Sequence, residues 1–279
     1  MSNPLSSNPL LVKVKLPGRV FGLPSKGLFY KPGVLADTVR DGEIQIKPMS
    51  ALAEMKLRSA DLLYSGKVLR ELCVECAPEI LKPESLLTKD VDALFVFLRI
   101  VTYGSRMDVN SVHDCDEAKV HKYQINIEES FADPHNTVLE HKDTLYRVTL
   151  INGQVVTAKP PTYEAAMQVV HLRQQIARLE SENKRPDDMM VERVLITDLL
   201  AVIEAVTVDG PEGKITVNNV EHITEWIRKM PKPLLNELVN AVQKTDQWGF
   251  SFKIPLTCKD CNQSYEHNLE IDPINFFFG

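Results

Sequence analysis

The sequence predicts an α+β fold: small β elements with a zinc-ribbon-like base formed by two distant knuckles, plus two helical blocks. Three observations carry this expectation. Phe250, Phe252 and Ile254 alternate before Cys258 and Cys261, and Leu269 and Ile271 alternate after them, the layout of strand, knuckle and strand. The same layout surrounds Cys115, where Met107, Val109 and Ser111 lead into His113-Asp-Cys115 and Tyr123 to Ile127 resumes a period of two. Apolar residues recur at three and four over residues 50–104 and again over 161–247.

The 279 residues carry 32 basic and 38 acidic side chains, and the net charge of -6 provides no general field favouring nucleic acid or an anionic membrane. No window holds the roughly 18 consecutive apolar residues of a spanning helix. The start, Met1 to Pro9, has no basic stretch followed by an apolar run. The chain is therefore expected in the cytoplasm, with neither a membrane nor a nucleic acid as partner. Its 5 cysteines form two CxxC pairs and a single, which fits a reducing compartment better than a disulfide framework.

Residues 1–49 read as an N-terminal arm and a small β segment. Ser, Asn and Pro dominate the first nine positions, Leu10 to Leu16 alternates as a strand ended by Pro17-Gly18, and Ile44 with Ile46 shares one face of a second strand. Residues 50–104 read as a helical block. Ser50 caps a helix carrying Ala51, Leu52, Met55, Leu62 and Leu63. From about Gly66 to Cys76, residues Val68, Leu69, Leu72, Cys73 and Cys76 share a face, so this CxxC suits a buried stripe better than metal ligation or thioredoxin-type redox chemistry. Thr88 or Asp90 caps a third helix that runs through Tyr103 and ends at Gly104.

Residues 105–160 read as a β segment with the first knuckle, and Leu145 to Val156 is a hairpin turned at Asn152-Gly153. Residues 161–247 read as a helical insertion. Its first helix runs from Tyr163 to about Lys184 with Ala166, Val169, Val170, Ile176 and Leu179 inward, and its second runs from about Asp188 to Val206, apolar enough for burial. A turn at Asp209 to Gly213 precedes Ile215 to Val217. Asn218 or Asn219 caps a helix through Lys229, and Pro231-Lys-Pro233 breaks the chain before the last helix, Leu234 to Gln243. Residues 248–279 hold the second knuckle and an aromatic tail. Phe276, Phe277 and Phe278 must bury, either against the chain's own helices or in a groove of a neighbouring protein.

A tetrahedral structural zinc needs four ligands. Cys258 and Cys261 supply two, Cys115 a third, and His113 is preferred over His121 as the fourth; a decayed site whose cysteines merely line a small core is the alternative. His267, on the exit strand, reads as a solvated or core histidine. The chain has no Walker loop, no GxGxxG after a strand, no GxSxG elbow and no HExxH, and nothing pairs an acid with a base, so no enzyme is expected. A zinc-ribbon nucleic-acid module would need basic and aromatic residues at the knuckle, but Lys253 and Lys259 are offset by Asp260, Glu266, Glu270 and Asp272.

Leu23-Pro-Ser-Lys-Gly-Leu-Phe-Tyr30, Gly42-Glu-Ile-Gln-Ile-Lys-Pro-Met49 with Glu54 after it, Ser65-Gly66, Asp90 and Leu98-Arg-Ile-Val-Thr-Tyr-Gly104 occur in that order. Asn152-Gly153, the CxxC at Cys258 and Cys261, and the terminal phenylalanines follow them. In these features the chain resembles the baseplate hub subunit and hub assembly proteins of T-even type contractile-tailed bacteriophages. In that family pattern a first CxxC follows the Tyr-Gly helix end; here Val112 stands where its first cysteine belongs and Cys115 where its second does. The resemblance implies a structural or assembly role through contacts with other phage baseplate or hub proteins. It implies assembly in the host cytoplasm, and either a place in the virion baseplate or release as a chaperone.

Overall fold

The computed structural model describes residues 16–59, 66–115, 119–132, 146–211, 213–244, 248–269 and 276–277. Expectations placed on residues 1–15, Leu62, Leu63, the turn after Cys115, Leu145, Ile271 and Phe278 lie outside them. The fold is α+β, with small antiparallel sheets and helices around two main cores.

β1 (Arg19–Gly22) pairs with β2 (Glu43–Ile46), placing Arg19 opposite Ile46. Ile44 and Ile46 are fully buried on the inner face, as their spacing of two requires. Pro17-Gly18 leads directly into β1; the strand it was expected to end lies outside the described residues. Gly18 passes so close to β2 that a Cβ there would lie 2.8 Å from the Ile46 carbonyl oxygen. The loop after β1 then folds onto Gly42, which has φ +72° and where a Cβ would lie 2.6 Å from the carbonyl carbon of Lys26. Only glycine serves there.

α1 (Ala51–Leu57) is capped by Ser50, whose side chain accepts from the Ala53 N–H. It lies against α2 (Lys67–Cys76), and Lys56 pairs with Glu71 across the two helices. Cys73 and Cys76 sit in the core beside Val68, Leu69 and Leu72. Burial pushes both thiols up, Cys76 to about 12, which keeps them protonated and suited to packing. α3 (Thr88–Tyr103) is the central helix, with Val91, Leu94, Val96, Leu98 and Ile100 all buried, and it ends at Gly104 with φ +88°.

Neither expected side-chain cap forms at the start of α3, where Leu87 occupies the cap position. Asp90 turns inward because the loop at 23–30 offers it three donors: the Ser25 N–H at 2.9 Å, the Ser25 hydroxyl at 2.5 Å and the Tyr30 hydroxyl at 2.5 Å. The Leu87 N–H donates to the Tyr30 oxygen at 3.0 Å, so Tyr30 does for the helix start what a cap would have done.

β3 (Arg106–Val112) and β4 (Val120–Asn126) form a hairpin with Met107, Val109 and Ser111 buried. The chain leaves β4 through the short α4 (Ile127–Ser130). β5 (Arg147–Thr149) and β6 (Val155–Ala158) flank a turn in which Gly153 has φ +82°. α5 (Tyr163–Ser181) starts at Thr162, which caps Ala165. It packs on α6 (Asp188–Val202) along a narrow stripe: Val169 is buried, Ile176 and Leu179 are half-buried, and Val170 is exposed rather than inward.

α6 does not continue to Val206, and it buries only Ile196 and Leu199, leaving Met189 and Val191 exposed. The chain passes straight into β7 (Ile203–Gly210), which lies between β6 and β8 (Gly213–Val217). Another helical turn would have left one edge of β6 without a partner; the β-branched Ile203, Val206, Thr207 and Val208 satisfy it as a strand. α7 (Val220–Lys229), capped by Asn219, and α8 (Lys232–Lys244) complete the second core with Ile223, Ile227 and Leu238.

β9 (Lys253–Thr257) and β10 (Ser264–Asn268) return to the first half of the chain. Phe250, Ile254, Leu256 and Leu269 join the core built around α3. Phe276 and Phe277 bury in that core as well, Phe277 meeting Phe95 at 6.1 Å and Tyr103 at 6.4 Å between ring centres. The two β hairpins thus come together across most of the sequence.

Candidate metal centre

Both hairpins end in their cysteine-bearing turns. In the second, Cys258 donates its N–H to the Gln263 carbonyl at 2.9 Å and accepts from the Asn262 N–H at 3.0 Å, with Asn262 left-handed at φ +58°. The turn wraps peptide N–H groups around the Cys258 sulfur. The Cys261 N–H above all, then the Asp260 N–H and the side chains of Cys261 and Cys115, bring this thiol down to about 6 against the opposing effect of burial. A sulfur held as thiolate near neutral pH is the form that ligates metals. In the first turn, Cys115 donates its N–H to the His113 carbonyl at 2.9 Å, and the His113 ring lies 4.7 Å from that of Tyr265 on β10.

The ligand atoms of His113, Cys115, Cys258 and Cys261 all lie within 4.8 Å of one another. Cys115 Sγ is 3.9 Å from Cys258 Sγ, and Cys261 Sγ is 3.3 Å from His113 Nδ1. A tetrahedral zinc with bonds of about 2.3 Å to sulfur and about 2.0 Å to nitrogen requires edges of about 3.8 Å between sulfurs and about 3.5 Å from sulfur to nitrogen. Both observed edges fit. The sulfur separation is far beyond the roughly 2.05 Å of a disulfide. Four protein ligands fill a tetrahedron and leave no open position, so the arrangement suits a structural site and not a catalytic one. Cys258 is buried, His113 and Cys115 are half-buried, and Cys261 faces solvent.

The structure brings together the four residues expected as ligands. His121 points elsewhere: its Nε2 meets Asp260 Oδ2 at 2.5 Å. His267 lies on β10 outside the cluster, and Cys73 and Cys76 lie in the first core. Sequence reasoning treated Lys259 and Asp260 only as charges that offset one another. Their signal was positional, since they are the two residues between the cysteines.

A family model described as T4 bacteriophage base plate protein matches residues 33–279. The chain belongs to this family of phage baseplate structural proteins. Neither the comparison with curated proteins nor that with solved structures gives a match. Membership associates the chain with the virion baseplate and implies contacts with other baseplate proteins. Among the described residues no helix is long and apolar enough to cross a membrane.

Proposed function

We propose that the protein is a non-enzymatic component of the hub region of a contractile-tail baseplate, assembled in the host cytoplasm and acting through protein–protein contacts. The family match over residues 33–279 is the observation that carries this reading. The ordered run of features from Leu23 to the terminal phenylalanines supports the hub in particular.

We further propose that His113, Cys115, Cys258 and Cys261 hold one structural zinc. The ion would supply a cross-link of low reactivity between the β3–β4 and β9–β10 hairpins, and the sulfur and nitrogen edges given above support it. Such a cross-link suits a part that bears load between neighbours, because it stiffens the base of the fold where the two hairpins meet.

The test is assembly with the gene for this chain silenced. Baseplate wedges should form while hub-containing baseplates do not, and supplying the chain should restore them. Complete, tail-competent baseplates built without the chain would contradict the hub assignment.

A further inference from the structure

The four candidate ligands come from two segments far apart in sequence, so their affinity for a metal depends on how well the segments are already docked. Among the contacts that dock them, three run from the two residues between Cys258 and Cys261 to three consecutive residues of β4. Asp260 Oδ2 accepts from His121 Nε2 at 2.5 Å, with the His121 and Asp260 side chains 20% and 22% exposed. Lys259 Nζ donates to the Lys122 carbonyl at 2.5 Å and lies 4.9 Å from the centre of the Tyr123 ring. None of these five groups belongs to the four-residue cluster. The Asp260 N–H is also one of the groups that lower the Cys258 thiol, so anchoring the Asp260 side chain steadies a peptide group that acts on the site.

We infer that Lys259 and Asp260 are positioning residues that hold the second knuckle on β4 and thereby set the affinity of the four-residue cluster for zinc-like divalent ions. The inference rests on the metal reading above and deepens it. Three sulfurs carrying negative charge repel when brought together, and without the clamp the metal would have to order both knuckles as well as bind them. With the clamp in place, ordering and part of that repulsion are already met by contacts elsewhere. A lysine engaged by a carbonyl and a ring also explains how a cation is accommodated between two candidate ligand cysteines.

Cobalt titration of the full-length reduced protein, in competition with a chelator, tests this. The variants are Asp260→Ala, Lys259→Met and the conservative Asp260→Asn, which keeps an oxygen acceptor for His121. Asp260→Ala and Lys259→Met should each weaken cobalt binding by roughly 10- to 100-fold, the range for residues that orient ligands. The thiolate-to-cobalt absorption at saturation should match wild type, because every ligand remains, and Asp260→Asn should recover most of the loss. In metal-free protein the amides of Cys261 and Asn262 should exchange faster in both weakened variants, while the core amides of α3 keep wild-type protection. Equal cobalt affinity in all variants would overturn the inference alone. A wild-type protein that takes up no cobalt overturns it together with the metal reading.

Discussion

Replacing Asp90 by asparagine isolates a fully buried carboxyl group. Asp90 is fully buried, faces no cation among its hydrogen-bond partners, and accepts from the Ser25 N–H, the Ser25 hydroxyl and the Tyr30 hydroxyl. Burial pushes its carboxyl up to about 6, while the hydrogen bonds from Ser25 and Tyr30 pull the other way. A raised carboxyl pKa means that the folded state holds this proton more tightly than the unfolded chain does. The stability it contributes is therefore fully present below the ordinary carboxyl value near 3.8 and is lost as pH rises through about 6. A displacement of about two units corresponds to about 3 kcal/mol. Asparagine cannot titrate, so the stability of wild type relative to Asp90→Asn should fall by about 3 kcal/mol between about pH 3 and about pH 7 and stay level above that window. Urea denaturation of both proteins at half-unit steps of pH measures the difference, with other titrating groups cancelling. A difference that is flat, or that moves in favour of wild type as pH rises, would refute the reasoning and show that the three donors outweigh burial.

Two further outcomes follow from the core. Replacing Cys73 and Cys76 together by alanine should cost about 1–4 kcal/mol, the range for truncating small buried side chains, while leaving metal content unchanged; loss of a metal equivalent would show that these thiols had been misassigned. Phe277→Ala removes a ring packed against Phe95, Tyr103 and Phe276 and should cost about 3–5 kcal/mol in thermal or urea unfolding. An isolated chain that is as stable as wild type would mean that the tail's burial against α3 contributes little and that its role lies with a neighbour.

Much of the β framework was legible because a period of two leaves little choice. Ile44 with Ile46, and Met107 with Val109 and Ser111, each had one face to bury and buried it. The hairpin at Asn152-Gly153 and the cap at Asn219 were legible for a different reason, since the chemistry of those residues is local. What local signals could not resolve was the end of α6. Leu199-Leu-Ala-Val-Ile-Glu-Ala-Val206 has neither glycine nor proline and satisfies helix and strand alike, so the outcome was set by the open edge of β6. Asp90 likewise looked like a cap because its donors lie about sixty residues away on a loop. Of the candidate site, the approach of the Cys115 knuckle to Cys258 and Cys261 was legible from spacing and from the matching layout of the two hairpins. The contacts of Lys259 and Asp260 were not, because which residues of β4 they meet depends on how the hairpins dock.

The most direct test of the account is the zinc content of the reduced, full-length protein purified without added metal and compared with Cys258→Ser, by elemental analysis alongside protein concentration. The account predicts about one zinc per chain in wild type, the stoichiometry of a closed four-ligand site, and none in Cys258→Ser. The same comparison should show His113→Ala weakening retention more than His121→Ala. A wild-type protein that is folded when supplied with zinc yet carries none, or a Cys258→Ser protein that keeps its zinc, would contradict it.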